Sequence, residues 1–124
     1  MNYLLFLDDF RPIDAVRFPS EYDLTPKILA RNYNEFVETI QKSGVPTVVS
    51  FDFDLSVDAI KEHVLSLKRG YINYDNIKSK TGLDCAKFLV GYCKENKVPF
   101  PVYFIHSQNA LGARDIKKYI EANK

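Results

Sequence analysis

The sequence predicts an α/β domain, a three-layer sandwich built on a parallel sheet. Two observations predict it. Four short apolar runs alternate with stretches of helical periodicity, the pattern that gives right-handed crossovers and a covered parallel sheet. Three of those runs end abruptly on polar residues, and parallel strands bring such ends to one edge of a sheet, where ligands bind. A length of 124 residues suits one domain with a single core, here residues 1–124.

Each element has its own warrant. Residues 3–8 form a continuous apolar run, as in a strand buried on both faces. The segment 11–26 holds three prolines and is expected to be mostly loop. Residues 27–31 (KILAR) give a weak second strand. Asn34 can cap a helix over 35–43, with Phe36, Val37 and Ile40 at helical spacing. Gly44 closes that helix and Pro46 follows. Residues 47–52 form the third strand. Ser56 caps a helix whose apolar residues are Val57, Ile60, Val64 and Leu67. The stretch 71–80 is polar, rich in tyrosine and expected to be irregular. A helix over 83–95 buries Leu83, Ala86, Leu89, Val90 and Cys93. Residues 101–107 are the fourth strand, and the sequence from Asn109 onward ends as a helix. No repeat, low-complexity tract or second domain is visible.

Composition narrows the function classes. The formal charge is +1, which argues against a protein dependent mainly on attraction to phosphate backbones but leaves room for a local basic patch. Cys85 and Cys93, eight apart in one predicted helix, cannot form a disulfide there and lack metal-ligand spacing. They read as buried thiols in a reducing, cytoplasmic setting. No apolar run reaches the ~18 residues of a membrane span, so no membrane partner is expected, and no signal peptide is visible.

The chemistry gathers at the strand ends. "LLFLDDFRP" stops on Asp8 and Asp9, adjacent like charges that need a cation or Arg11 to offset them. "TVVSFDFDLS" ends on Asp52 and Asp54, and "PVYFIHS" ends on His106 and Ser107. Oxygen ligands suit a hard ion, Mg2+ or Mn2+, held by Asp8, Asp9 and Asp52. On an extended strand Asp52 and Asp54 would sit about 6.6 Å apart. That is wide for one small ion, so a turn after Asp52 is expected, with one acid acting through water. Such an ion can neutralise charge in phosphoryl transfer. His106 either handles the leaving-group proton or orders its loop. Arg11, Ser107 and Asn109 are candidates to hold phosphate oxygens, although "SQNALGARDI" is also how a helix begins.

Thr81 and Gly82 precede a helix, so Thr81 is either a phosphate contact or a cap. Lys61, Lys68, Arg69, Lys78 and Lys80, mixed with Tyr71 and Tyr74, form either a nucleotide or RNA contact or a solvated flap. His63, among charged neighbours, reads as surface.

Taken together, "LFLDDFRP", "SFDFDLS", "KTGLDCAKFLVGYC" and "FIHSQNALGARDI" resemble the cyclic-phosphate-processing receiver domains, a divergent branch of the response-regulator receiver fold common in phages and bacteria. The resemblance spans nearly the whole chain and keeps the order of four motifs. It implies a receiver/flavodoxin-like sheet of strand order 2-1-3-4. It also implies a metal-dependent site and the processing of cyclic phosphates on nucleotides or RNA ends. By that likeness Asp8 and Asp9 match the first acidic pair. Asp52 falls where receivers keep the phosphoacceptor, and Asp54 matches the second acid of a D-H-D motif. His106, Ser107 and Asn109 match the motif after the fourth strand. Phe53 stands where the family usually has histidine, which leaves His106 to serve alone. No stretch corresponds to an ordinary receiver's fifth strand and lysine.

The leading expectation is a metal-dependent phosphoesterase with catalytic His106, Asp52 and Asp54, acting on a cyclic phosphate of a nucleotide or RNA end. A non-catalytic receiver-like module that binds a nucleotide or protein partner is the second. A haloacid-dehalogenase-like phosphatase with Asp52 as nucleophile is the third, disfavoured because its D-x-D motif usually ends the first strand.

Overall fold

The computed structural model describes residues 2–124. Strands β1 (Leu4–Leu7), β2 (Lys27–Ala30), β3 (Val48–Phe51) and β4 (Val102–Ile105) form one sheet. Its order is β2-β1-β3-β4 and every pair is parallel. Four α-helices complete the fold: α1 (Tyr33–Ser43), α2 (Val57–Arg69), α3 (Gly82–Glu95) and α4 (Ala110–Asn123). The predicted receiver-like α/β fold and its strand order are therefore present.

Side-chain alternation divides the sheet between two layers. Leu5, Leu7, Ala30, Val49 and Phe51 meet Phe36 and Ile40 of α1, Ala86 and Leu89 of α3, and Ile116 and Ile120 of α4 in one buried cluster. Leu4, Phe6 and Val48 point the other way. Ile13, Val16, Phe18 and Tyr22, from the segment between β1 and β2, pack against them. The predicted loop thus serves as the third layer, stiffened by two short 3-10 turns, Ile13–Ala15 and Ser20–Tyr22.

Local details depart from expectation. The cap of α1 is Asn32, whose extended backbone lets its side chain accept from the Glu35 amide at 2.9 Å. Asn34 lies inside the first turn. Strands are shorter than predicted because their polar ends leave the sheet, yet the ladder runs one amide further. Asp8 N–H donates to Ala30, Asp52 N–H to Leu7 and His106 N–H to Phe51. In α3, Leu83 is only half-buried, while Ala86, Leu89, Val90 and Cys93 are buried as expected.

The largest surprise is α2. The stripe of Val57, Ile60, Val64 and Leu67 that predicts the helix faces solvent. Its inward face carries Ala59, Glu62 and Ser66. Glu62 explains the inversion: its carboxylate accepts from the Asn73 amide and Asn76 Nδ2, both at 2.8 Å, and from Arg69. A buried carboxylate with this many donors holds the helix by hydrogen bonds rather than by apolar contact.

Candidate functional site

The site sits where the ladder ends. Because β1, β3 and β4 are adjacent and parallel, Asp8, Asp52 and His106 leave the sheet side by side. One ligand atom from each lies within 4.8 Å of the others, a cluster that can hold a metal ion.

Asp8 is the most tightly held of the acids. Its Oδ1 accepts from the amides of Phe10 and Arg11, at 3.0 and 2.8 Å. Its Oδ2 accepts from Arg11 Nη1 at 3.3 Å and from His106 Nε2 at 2.9 Å. Burial alone would raise its pKa, but these donors hold it below the ordinary carboxylate value.

Asp9 and Asp52 lack such compensation. Burial, the Asp8 charge and the Asp54 charge raise the pKa of Asp9, and its Oδ1 is buried with no hydrogen-bond donor among the described residues. Asp52 is pushed up to about 6 by burial and by Asp8, although the Phe53 amide donates to it at 2.8 Å and Ser107 favours its charged form. Two strained acids and an orphaned oxygen fit a hard divalent cation, which prefers oxygen ligands. Asp9 was expected among the ligands; it falls outside the 4.8 Å group, and His106 falls within it.

His106 is enclosed. Its side chain is 6% exposed and its ring lies parallel to Phe6, with centroids 4.6 Å apart. Burial lowers its pKa, against the pull of Asp8. Its Nδ1 lies 2.7 Å from Ser50 Oγ, so both ring nitrogens have partners. In the neutral ring Nε2–H donates to Asp8 Oδ2, and the Ser50 hydroxyl donates to Nδ1.

A second imidazole, expected only at the surface, reaches the strand ends. His63, on α2, places Nδ1 2.9 Å from Asp54 Oδ2. Asn109 Nδ2 holds the other oxygen of Asp54 at 3.1 Å. The expected turn after Asp52 is present, and it aims Asp54 at α2. Spacing in the sequence could not reveal this pair, because it depends on how the loop carries α2 back past the strand end.

The remaining candidates take positioning roles. Arg11 bridges Asp8 and the His106 carbonyl. Ser107 accepts from the Asn109 amide and favours the charged form of Asp52. Asn109 also caps α4 by accepting from Gly112 N–H at 3.0 Å. Thr81 is a buried cap: it accepts from the Leu83 amide while its own amide donates to Asp84, a capping box. Gly82 lets α3 come this close, because a Cβ there would meet the Asp52 carbonyl oxygen at 1.8 Å. Phe53 is fully buried and points into the core, where its ring fills the space a Cβ on Gly112 would need.

The description Cyclic-phosphate processing Receiver domain matches residues 3–122, nearly the whole chain. The chain belongs to this family. No curated protein and no solved structure matches it. As a receiver domain of the cyclic-phosphate-processing type, it keeps its acids at the ends of β1 and β3. Among the described residues, no helix is long and apolar enough to cross a membrane.

Proposed function

We propose that this receiver-like domain is a divalent-metal-dependent phosphoesterase that opens a cyclic phosphate on a nucleotide or RNA end. One observation carries the reading: Asp52, with its raised pKa, meets Asp8 and His106 at one sheet edge, and Asp54 from the same strand end orients the imidazole of His63. Asp8 and Asp52 would hold Mg2+ or Mn2+ beside His106, with Asp9, outside their 4.8 Å group, acting on the ion through water. The bound ion supplies neutralisation of charge on the phosphoryl oxygens.

The chain's own groups handle substrate and proton. Arg11, 19% exposed and beside Asp8, offers guanidinium protons to a phosphate oxygen. The Phe53 amide and Asn109 fix Asp52 and Asp54 in place. Asp54 accepts the Nδ1 proton of His63, which leaves His63 Nε2 as an acceptor. Nε2 takes a proton from the attacking water as the new P–O bond forms. It returns that proton to the ring oxygen as the old P–O bond breaks. His106, with both nitrogens engaged, orients Asp8 rather than carrying the proton. His63 thereby takes the part that Phe53 cannot.

A second reading has its own support. Asp8 already accepts four hydrogen bonds, so the same strand-end cluster can serve as a rigid, non-catalytic nucleotide or protein-binding module. A cytoplasmic setting accords with the free, buried thiols of Cys85 and Cys93.

The test is a screen of cyclic mononucleotides, cyclic dinucleotides and RNA 2′,3′-cyclic phosphates, with and without magnesium or manganese. Metal-dependent ring opening of one class supports the enzyme. Turnover of none of them under any metal condition hands the lead to the binding module.

A further inference from the structure

We propose that the outer face of α2 docks an amphipathic helix with acidic flanks, supplied by another protein. Val57, Ile60, Val64 and Leu67 recur at alternating steps of three and four, the spacing of a helix-packing seam. In the fold these four side chains are between 46% and 70% exposed. A soluble domain rarely leaves a contiguous apolar stripe open unless a partner covers it. No rearrangement within the domain is needed to present it. The opposite face of α2 is committed through Glu62 to Asn73 and Asn76, through Asp58 to the amides of Lys78 and Ser79, and through His63 to Asp54.

Charge selects the occupant. Lys61 and Lys68, seven residues apart, border the stripe on one side. No ion pair among the described residues involves either. The helix has two acids of its own, and both are engaged elsewhere: Asp58 in the loop amides and Glu62 in the interior. A second copy of α2 therefore has no free carboxylate to offer these lysines. Paired antiparallel, two copies would set lysine beside lysine. A partner helix with glutamate or aspartate beside its apolar seam satisfies both the stripe and the lysines.

The experiment uses the full chain and two synthetic helices of three heptads, each held monomeric by a hydrocarbon staple and carrying leucine on the seam. One has glutamate on both flanks and the other lysine. The glutamate peptide is expected to bind at least about tenfold tighter by fluorescence anisotropy. Leu67→Glu should abolish that binding, and the pair Lys61→Glu with Lys68→Glu should reverse the preference. All three positions are exposed, so circular dichroism should show the variants folded. The proposal is overturned if neither peptide binds, if both bind equally, or if Leu67→Glu changes nothing. It is equally overturned if sedimentation shows the wild-type chain dimerising through this stripe, with Leu67→Glu restoring the monomer.

Discussion

His63 Nδ1 lies 2.9 Å from Asp54 Oδ2, so a helix after β3 returns an imidazole to the strand end it came from. The pair joins two neighbourhoods that the sequence keeps apart, the acidic loop and the charged surface of α2. Asn109 fixes the far oxygen of Asp54 and caps α4 with the same side chain. The imidazole is thereby oriented by a carboxylate that is itself held, the arrangement a proton-transfer group requires.

A comparison of two histidines follows. On the cyclic phosphate that the screen identifies, His63→Asn should cut turnover by about 10²- to 10⁴-fold. It should leave the melting temperature nearly unchanged, since His63 is a surface-facing residue with 23% of its side chain exposed. His106→Asn should lower the melting temperature, because the ring packs on Phe6 and joins Ser50 to Asp8. Its loss of turnover should be the smaller of the two. A larger loss from His106→Asn would return the proton to His106.

Magnesium or manganese should raise the melting temperature by ligand linkage, by about 2.7 kcal/mol of stability when the ion is at a hundred times its Kd. Asp52→Asn should remove most of that gain, since Asp52 belongs to the group that can hold the ion, and Asp9→Asn should reduce it by less. A thermal-shift series that is flat at millimolar metal for the wild type sinks the metal site.

Without metal, Asp52 should make the fold less stable as pH rises. Its carboxyl titrates at about 6 in the folded state, against an ordinary value of 3.8. Between those values the native state binds more protons than the unfolded one, so stability is full below the window and is lost as pH climbs through it. Two units correspond to at most about 3 kcal/mol. Asp52→Asn should flatten the profile and stabilise the metal-free protein at neutral pH, as urea titrations across this range will read. Asp8 works in the opposite sense: its lowered pKa supports stability that is lost only as pH falls below the ordinary carboxylate range.

Two glycines of α3 should behave oppositely on replacement by alanine. Gly82→Ala drives a methyl into the Asp52 carbonyl, and Gly82 N–H also donates to Phe53 at 2.9 Å. Destabilisation of about 3 kcal/mol is expected, together with a weaker response to metal as Asp52 shifts. Gly91→Ala meets nothing within 4 Å and should stabilise the helix by about 1 kcal/mol. Equal effects in denaturant unfolding would contradict the close packing of α3 on the site.

Much of this protein is legible in its residues. Apolar runs of strand length and helical periodicity determined the fold class and put the polar strand ends on one sheet edge, because these are local patterns joined by one chirality rule. The strand order that sets Asp8, Asp52 and His106 side by side came from the family resemblance that the acidic and histidine motifs carry. What only the tertiary structure decided lies in the pairings. Periodicity revealed α2 but could not say which way it faces, because a single buried carboxylate, Glu62, outweighs four apolar side chains by finding donors in the following loop. The same placement turned His63 from a surface residue into the partner of Asp54. Phe53 reads as a lost histidine in the motif, yet its ring belongs to the core beside Gly112. His106 looks free in sequence and is enclosed in space by Phe6, Ser50 and Asp8. Side-chain type is written in the chain; which of its atoms remain unpartnered is decided only when distant segments compete for them.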